Sequence, residues 1–269
     1  MQNRPKVLAG NWKMNLGPIE AQEYFRALKK ELGSSFHPSS DSHGVIFPPA
    51  YALGAEVQQA AASAQIRLGA QNVHWEDKGA FTGELSGTAL KSLGISWVLI
   101  AHSERRQFFG ETDETAKKRF AKAVSLGLNV MYCIGEVLSE RESGKTEAVL
   151  TRQTLPFIEV LKTQFAAGAQ PKTTGSPIWS IAYEPVWAIG TGKTATSEQA
   201  EAAHRHIRKV VWDHLGMEAA QQTPIAYGGS VTPENVEVLM SQPNVDGVLV
   251  GGASLKPEGF ARILMAAPR

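Results

Sequence analysis

Cysteine is almost absent from this 269-residue chain: Cys133 stands alone, so no internal disulfide can form. An excess of charge is absent too. With 27 basic against 26 acidic residues, the net charge of +1 leaves no broad field to draw nucleic-acid phosphates or anionic lipid. Neither a nucleic acid nor a membrane is therefore expected as a partner. Long apolar runs are missing as well. The longest stretch without a charged side chain, 219–233, is broken by Pro224 and Gly228-Gly229 and falls short of the ~20 residues a spanning helix needs. Residues 1–15 lack the sustained apolar stretch of a secretion signal, so a reducing cytoplasm is the expected compartment. What the chain does have is enough apolar side chain, 43% of residues, to bury a large core.

Missing motifs narrow the chemistry. Histidines stand at 37, 43, 74, 102, 204, 206 and 214, and none falls at metal-ligand spacing. His204 and His206 sit two apart on a predicted helix, face different sides, and are expected to be solvated surface groups. No serine lies in a Gly-x-Ser-x-Gly elbow. Residues 189–194, Ile-Gly-Thr-Gly-Lys-Thr, invite two nucleotide readings, and both fail. A Walker A loop needs glycine where Trp187 stands. A dinucleotide fingerprint needs an acid about 20 residues on, after another strand, whereas Asp213 falls within helical periodicity. What remains is a loop of small residues between Pro185 and a capped helix, which reads as a lid.

Eight short apolar, β-branched runs recur at a mean interval of roughly 34 residues, the length of a βα unit. They lie at 6–9, 44–47, 66–70, 97–100, 129–133, 178–183, 225–227 and 247–250. Stretches with helical period separate them. In 18–32, Ile19, Tyr24, Phe25, Leu28 and Leu32 are expected on one buried side. Pro18, the Thr196/Gln199 capping box and Thr232-Pro233 mark helix starts. Eight such units with right-handed crossovers can close into a barrel without edges, so an α/β fold, a single (β/α)8 barrel over residues 1–269, is expected. A doubly wound open sheet shares the same local pattern.

Barrel enzymes place chemistry at the C-terminal ends of their strands. Asn11 and Lys13 follow the first strand, and His102 and Glu104 follow the fourth. Glu184 closes the sixth, where Pro185 favours an extended conformation that would aim the carboxylate across the mouth as a general base. Gly228-Gly229-Ser230 and Gly251-Gly252 follow the seventh and eighth strands, where barrels commonly bind phosphate through loop amides. With Gly190 on the lid, they suggest a phosphorylated small substrate. The connection 72–84, with Val73, Trp75, Ala80 and Phe81, is too apolar for a freely solvated loop and must pack somewhere.

These residues resemble the triosephosphate isomerase family. The resemblance is carried by Asn-Trp-Lys-Met-Asn at 11–15, Ala-His-Ser-Glu-Arg-Arg at 101–106, Cys-Ile-Gly-Glu at 133–136, and the long block 182–195 from Ala-Tyr-Glu-Pro-Val-Trp to Gly-Lys-Thr-Ala. Tyr-Gly-Gly-Ser-Val at 227–231 and Leu-Val-Gly-Gly-Ala-Ser-Leu at 249–255 complete it. It implies Glu184 as the base, His102 as a neutral electrophile and Lys13 as the electrostatic partner, with Asn11 orienting substrate and Glu104 supporting them. Asn11, Lys13, Gly190, Ser230, Gly251 and Gly252 would bind the substrate and its phosphate. Residues 186–187 and 193–195 would hinge the lid, and Tyr227 and Ser230 would latch it. The implied reaction interconverts dihydroxyacetone phosphate and glyceraldehyde 3-phosphate through an enediolate, in glycolysis and gluconeogenesis, with no cofactor and no metal. The resemblance also implies a homodimer in which loop 72–84 brings Thr82 near Asn11 and Lys13 of the partner subunit. Two loops, 33–43 and 168–177, look longer than is usual in the family. Both join a helix to the next strand, at the face opposite the chemistry. Ser197 stands where the family often has proline, which touches only the rigidity of the lid exit. A metal-dependent sugar-phosphate epimerase and a non-catalytic phosphate-binding barrel are the rival readings.

Overall fold

The computed structural model describes residues 4–34, 36–37, 42–166, 178–189 and 195–266. Eight strands close into a barrel in chain order: β1 (Lys6–Asn11), β2 (Ser42–Phe47), β3 (Arg67–Ala70), β4 (Trp97–Ile100), β5 (Asn129–Ile134), β6 (Trp179–Tyr183), β7 (Ile225–Tyr227) and β8 (Gly247–Val250). Every pairing is parallel, and β1 pairs with β8, for instance Leu8 beside Val248. That closing pair rules out the open doubly wound sheet, whose two edge strands would have no such partner.

Among the described residues, ten helices surround the strands: α1 (Pro18–Leu32), α2 (Ala55–Ser63), α3 (Gly87–Ser92), α4 (Ser103–Phe108), α5 (Asp113–Ser125), α6 (Leu138–Glu142), α7 (Thr146–Ala166), α8 (Ser197–Gln222), α9 (Val236–Met240) and α10 (Pro257–Met265). In α1 the buried stripe is Ala21, Tyr24, Phe25, Leu28 and Leu32. Ile19, expected on that stripe, is 72% exposed. It precedes Ala21 by two residues, about 200° round the helix, and so faces water. The capping box at α8 forms as expected: the Gln199 N–H donates to Thr196 Oγ1 and the Thr196 N–H to Gln199 Oε1. At Thr232-Pro233 the chain first makes a turn, in which Asn235 Oδ1 accepts the Thr232 N–H, and the regular helix begins only at Val236.

Strand alternation divides the apolar residues into two layers. Val7, Ala9, Val45, Phe47, Trp97, Leu99, Met131, Cys133, Ala182, Ala226 and Leu249 fill the barrel. Leu8, Ile46, Val98, Ile100, Tyr132, Ile181 and Val248 face the helices. By that parity Asn11, Glu184, Gly228 and Gly251 continue the inward rows of their strands. His102 falls on the outward parity of β4. The residue before it, Ala101, has φ +62°, and this left-handed step reverses the alternation and turns His102 over the mouth. Among the described residues no helix is long and apolar enough to cross a membrane.

His204 is fully buried, contrary to the expectation of a solvated group. It lies on the barrel side of α8, with Nδ1 3.1 Å from the Asn244 carbonyl and its ring 5.9 Å from Tyr183 and 6.3 Å from Tyr227. His206, two residues on, is half-buried, with Nε2 2.9 Å from Thr151 Oγ1. Two positions on a helix do face different sides, but here both sides are packed, one against the barrel and the other against α7.

Candidate active site

At the C-terminal mouth a cavity of 300 Å³ is lined by Asn11, Lys13, His102, Glu184, Ser230, Gly251 and Gly252, together with Ala188, Ile189 and the turns between them. Glu104, the remaining described residue of the expected set, reaches the cavity through Lys13, whose Nζ donates to its Oε1 at 2.5 Å. Gly190 lies outside the described residues, as do Lys193 and Thr194 of the expected second hinge.

Two strained positions aim the charged groups. Lys13 has φ +53°, a conformation that costs an ordinary residue of order 1–3 kcal/mol unless its surroundings fix it. They do: its N–H donates to Asn11 Oδ1 at 2.9 Å, and its carbonyl accepts from Gln71 Nε2 at 2.7 Å. Ala101 is pinned likewise, its N–H donating to Glu111 Oε1 at 2.9 Å and its carbonyl accepting from Arg106 Nε at 3.0 Å. Glu111 is held in turn by Arg105 Nε at 2.7 Å. Sequence reasoning missed Gln71 and Glu111 and gave Arg106 no role, because each acts on a backbone that only the fold brings near.

Glu184 and His102 form the centre. His102 Nε2 lies 3.0 Å from Glu184 Oε1, the Ser103 N–H donates to Glu184 Oε2 at 3.0 Å, and only 2% of Glu184 is exposed. Burial would raise the Glu184 carboxyl, but the His102 charge and hydrogen bond, with the Ser103 amide, hold it below the usual carboxylate value. Burial likewise disfavours protonation of His102, but the Glu184 carboxylate prevails and lifts the imidazole above its ordinary value. The other ring nitrogen, Nδ1, accepts the Glu104 N–H at the start of α4, which fixes the hydrogen on Nε2, facing the cavity.

The glycines after β7 are sterically required. A Cβ at Gly228 would lie 2.8 Å from Glu184 Cγ, and one at Gly229 would lie 2.2 Å from Tyr227 Oη. After β8, Gly251 precedes the 3-10 turn Gly252–Leu255, and both glycines open onto the cavity. On the opposite side the first expected hinge is the 3-10 turn Val186–Ala188. Trp187 Nε1 donates to Glu136 Oε1 at 3.0 Å, and the same oxygen accepts from the Tyr183 hydroxyl at 3.1 Å. Glu136 is fully buried and was given no role from sequence.

Loop 72–84 packs on its own barrel at its base, and beyond the base Asp77 Oδ2 accepts from Lys122 Nζ of α5 at 3.0 Å. Val73 is buried, Arg119 donates to the Val73 carbonyl at 2.6 Å and to Glu84 at 2.9 Å, and its guanidinium lies 5.0 Å from the Trp75 ring. Residues 76–83, Thr82 among them, are exposed. Near the mouth Met14 is 86% exposed, and Phe108 and Phe109, which end α4, are 65% and 69% exposed.

The closed parallel barrel, with its polar residues gathered at the strand ends, defines a (β/α)8-barrel enzyme. Comparison with known proteins makes this more particular. The family model described as triosephosphate isomerase matches residues 6–267. Proteins named triosephosphate isomerase resemble the chain along almost its whole length. That of Solibacter usitatus is 49% identical over 261 residues, covering 97% of this chain and 99% of its own. That of Geobacter metallireducens is 46% identical over 262 residues, covering 97% and 98%, and that of Chlorobium phaeovibrioides is 45% identical over 264 residues, covering 98% and 99%. The chain belongs to the triosephosphate isomerase family.

Proposed function

We propose that residues 1–269 act as one barrel domain that interconverts dihydroxyacetone phosphate and D-glyceraldehyde 3-phosphate, with Glu184, His102 and Lys13 performing the chemistry and Asn11 and Glu104 orienting them. The reaction belongs to glycolysis and gluconeogenesis in the cytoplasm. The observation that supports it most is the 3.0 Å pair of Glu184 and His102 above a 300 Å³ cavity, with the Lys13 ammonium at the same mouth. Glu184 removes a proton from one carbon and returns it to the neighbouring carbon. His102 hydrogen-bonds both substrate oxygens through Nε2 and passes the hydroxyl proton from one oxygen to the other, so hydroxyl and carbonyl exchange places as the carbon-bound proton moves, while Lys13 stabilises the negative charge that develops on the oxygens.

A carboxylate that already accepts from Ser103 and His102 is a weak base, because both donors favour the ion over its protonated form. The carboxylate must therefore leave them to reach substrate carbon, and Gly228, lacking a side chain beside Glu184 Cγ, leaves it room. That movement also removes the partner that lifts the His102 pKa, so the imidazole donates as a neutral group with Nδ1 still held by the Glu104 amide. Ser230, Gly251 and Gly252, with Gly190 expected from sequence, bind the phosphate. It takes no part in bond changes, so its binding free energy can serve the transition state at the carbons.

The test is isomerisation of purified triose phosphate, with deuterium uptake from solvent onto carbon as a second readout. Turnover with solvent exchange is expected, and binding without exchange would mark a non-catalytic barrel. Among the described residues no three His, Cys, Asp or Glu side chains gather to hold a metal ion, and the site's cation is Lys13. An excess of chelator is accordingly expected to leave kcat unchanged, whereas loss of turnover would favour the metal-dependent epimerase.

The exposed tip of loop 72–84 and the exposed Met14 support a homodimer in which Thr82 reaches Asn11 and Lys13 of the partner subunit. Sedimentation at micromolar concentration is expected to give twice the chain mass, and a monomer alone would contradict the assembly.

A further inference from the structure

Glu184 hangs on a short piece of backbone at the end of β5. Its N–H donates to the Ile134 carbonyl at 2.7 Å, and the Val186 N–H donates to the Glu136 carbonyl at 3.1 Å. Between those two acceptors lies Gly135, so close that a Cβ there would stand 1.7 Å from the Glu184 carbonyl oxygen. The position of Gly135 therefore sets the position of the Glu184 backbone.

Neither sheet nor helix occupies the polar groups of Gly135. The Gln153 side chain, 5% exposed on α7, takes both: the Gly135 N–H donates to Gln153 Oε1 at 2.7 Å, and Gln153 Nε2 donates to the Gly135 carbonyl at 3.3 Å. A buried peptide group leaves neither its donor nor its acceptor unmet without cost, and among side chains of this length only a primary amide offers one of each. Methionine would fill the space but satisfy neither group. Glutamate would accept and not donate. The residue type at 153 is thus specified by the peptide it grips, eighteen positions away in sequence.

We infer that Gln153 is a positioning residue for the isomerase reaction: its amide locks the Gly135 peptide and thereby holds the Glu184 backbone where the carboxylate can reach substrate carbon. The inference rests on the activity proposed above. Misplacement of a reacting group by about 1 Å can cost 10²-fold, so release of this clamp should lower kcat at least tenfold. KM should change little, because Gln153 does not line the 300 Å³ cavity where substrate would sit. The clamp can also be reached from outside. A separate cavity of 690 Å³ opens behind Glu184, with Gln153, Gly135, Ser103 and Val186 in its wall. A small soluble amide can therefore enter and replace a missing side chain.

The experiment compares the parent chain with Gln153→Ala and Gln153→Met at pH 7. Both variants are expected to lose kcat at least tenfold with KM within about twofold of the parent, a pattern that marks loss at the chemical step. Acetamide should restore a substantial part of kcat to Gln153→Ala, while acetone, of similar shape but unable to donate, should not. If Gln153→Ala fails to fold, Gln153→Met carries the kcat and KM comparison. Variants that turn over like the parent would overturn the inference, as would equal rescue by acetone. An inactive parent would defeat the isomerase reading itself, so the two failures remain distinct.

Discussion

Glu184→Gln is expected to lower kcat by about 10²- to 10⁴-fold while KM for either triose phosphate stays close to that of the parent. The amide has the shape of the carboxylate and can still accept the Ser103 N–H, so the buried site keeps its packing. It cannot take a proton from carbon. It also meets His102 differently: with the Nε2 hydrogen fixed by the Glu104 amide on Nδ1, one of the two Glu184 contacts must be lost. That leaves a buried group unpaired, and a stability loss of about 1–3 kcal/mol is expected in thermal or denaturant unfolding. Glu184→Asp separates geometry from chemistry. It keeps the carboxylate but withdraws it by one methylene, roughly the 1 Å displacement that costs about 10²-fold, so it should also be slow although it remains a base. Full activity in Glu184→Gln, or equal losses in kcat and substrate affinity, would refute the assignment of the base.

Much of this arrangement was legible from residue order, and its limits have physical reasons. The eight strands were readable because β-branched runs bounded by turns at a βα interval leave few other ways to bury both faces of a parallel sheet; the predicted run 97–100 is β4 to the residue. Glu184 was readable because a proline follows it and because its parity continues the inward row of β6. His102 stands at the end of a strand whose alternation points it away from the mouth. Its inward turn depends on Ala101 at φ +62°, a conformation that alanine does not advertise. The groups that hold that step, Glu111 and Arg106, lie on either side of the end of α4 and carry no local signature. Gln71 is similar: a single glutamine after β3 reads as a polar loop residue until the fold sets it against the strained carbonyl of Lys13. Ile19 failed for a simpler reason: it stands five residues before Tyr24, about 140° round the helix from the stripe, so it does not keep the helical period of the buried residues.

His204 shows most clearly what pattern alone leaves out, and it carries the largest expected effect of pH on stability. Burial pushes its imidazole from the ordinary value of 6.5 down to about 4. The Asn244 carbonyl, which accepts from Nδ1, and the buried Asp246 carboxylate act in the opposite direction, Arg208 acts with burial, and the Tyr183 and Tyr227 rings close the remaining sides. Among the described residues Nε2 has no hydrogen-bond partner, so a second proton there would be buried without an acceptor. The folded protein thus binds this proton less readily than the unfolded chain. Stability from the neutral ring is complete above pH 6.5 and is lost as pH falls through 6.5 toward 4, a loss of about 3 kcal/mol at 1.36 kcal/mol per pKa unit. His204→Asn is the informative variant, because its amide can still donate to Asn244 and does not titrate. It should be less stable than the parent at pH 7, where the lost ring leaves a cavity, by about 2–4 kcal/mol. Its unfolding free energy should fall less between pH 7 and 4, so that the two curves converge in acid. Parallel curves would show that the proton uptake of acid unfolding lies elsewhere.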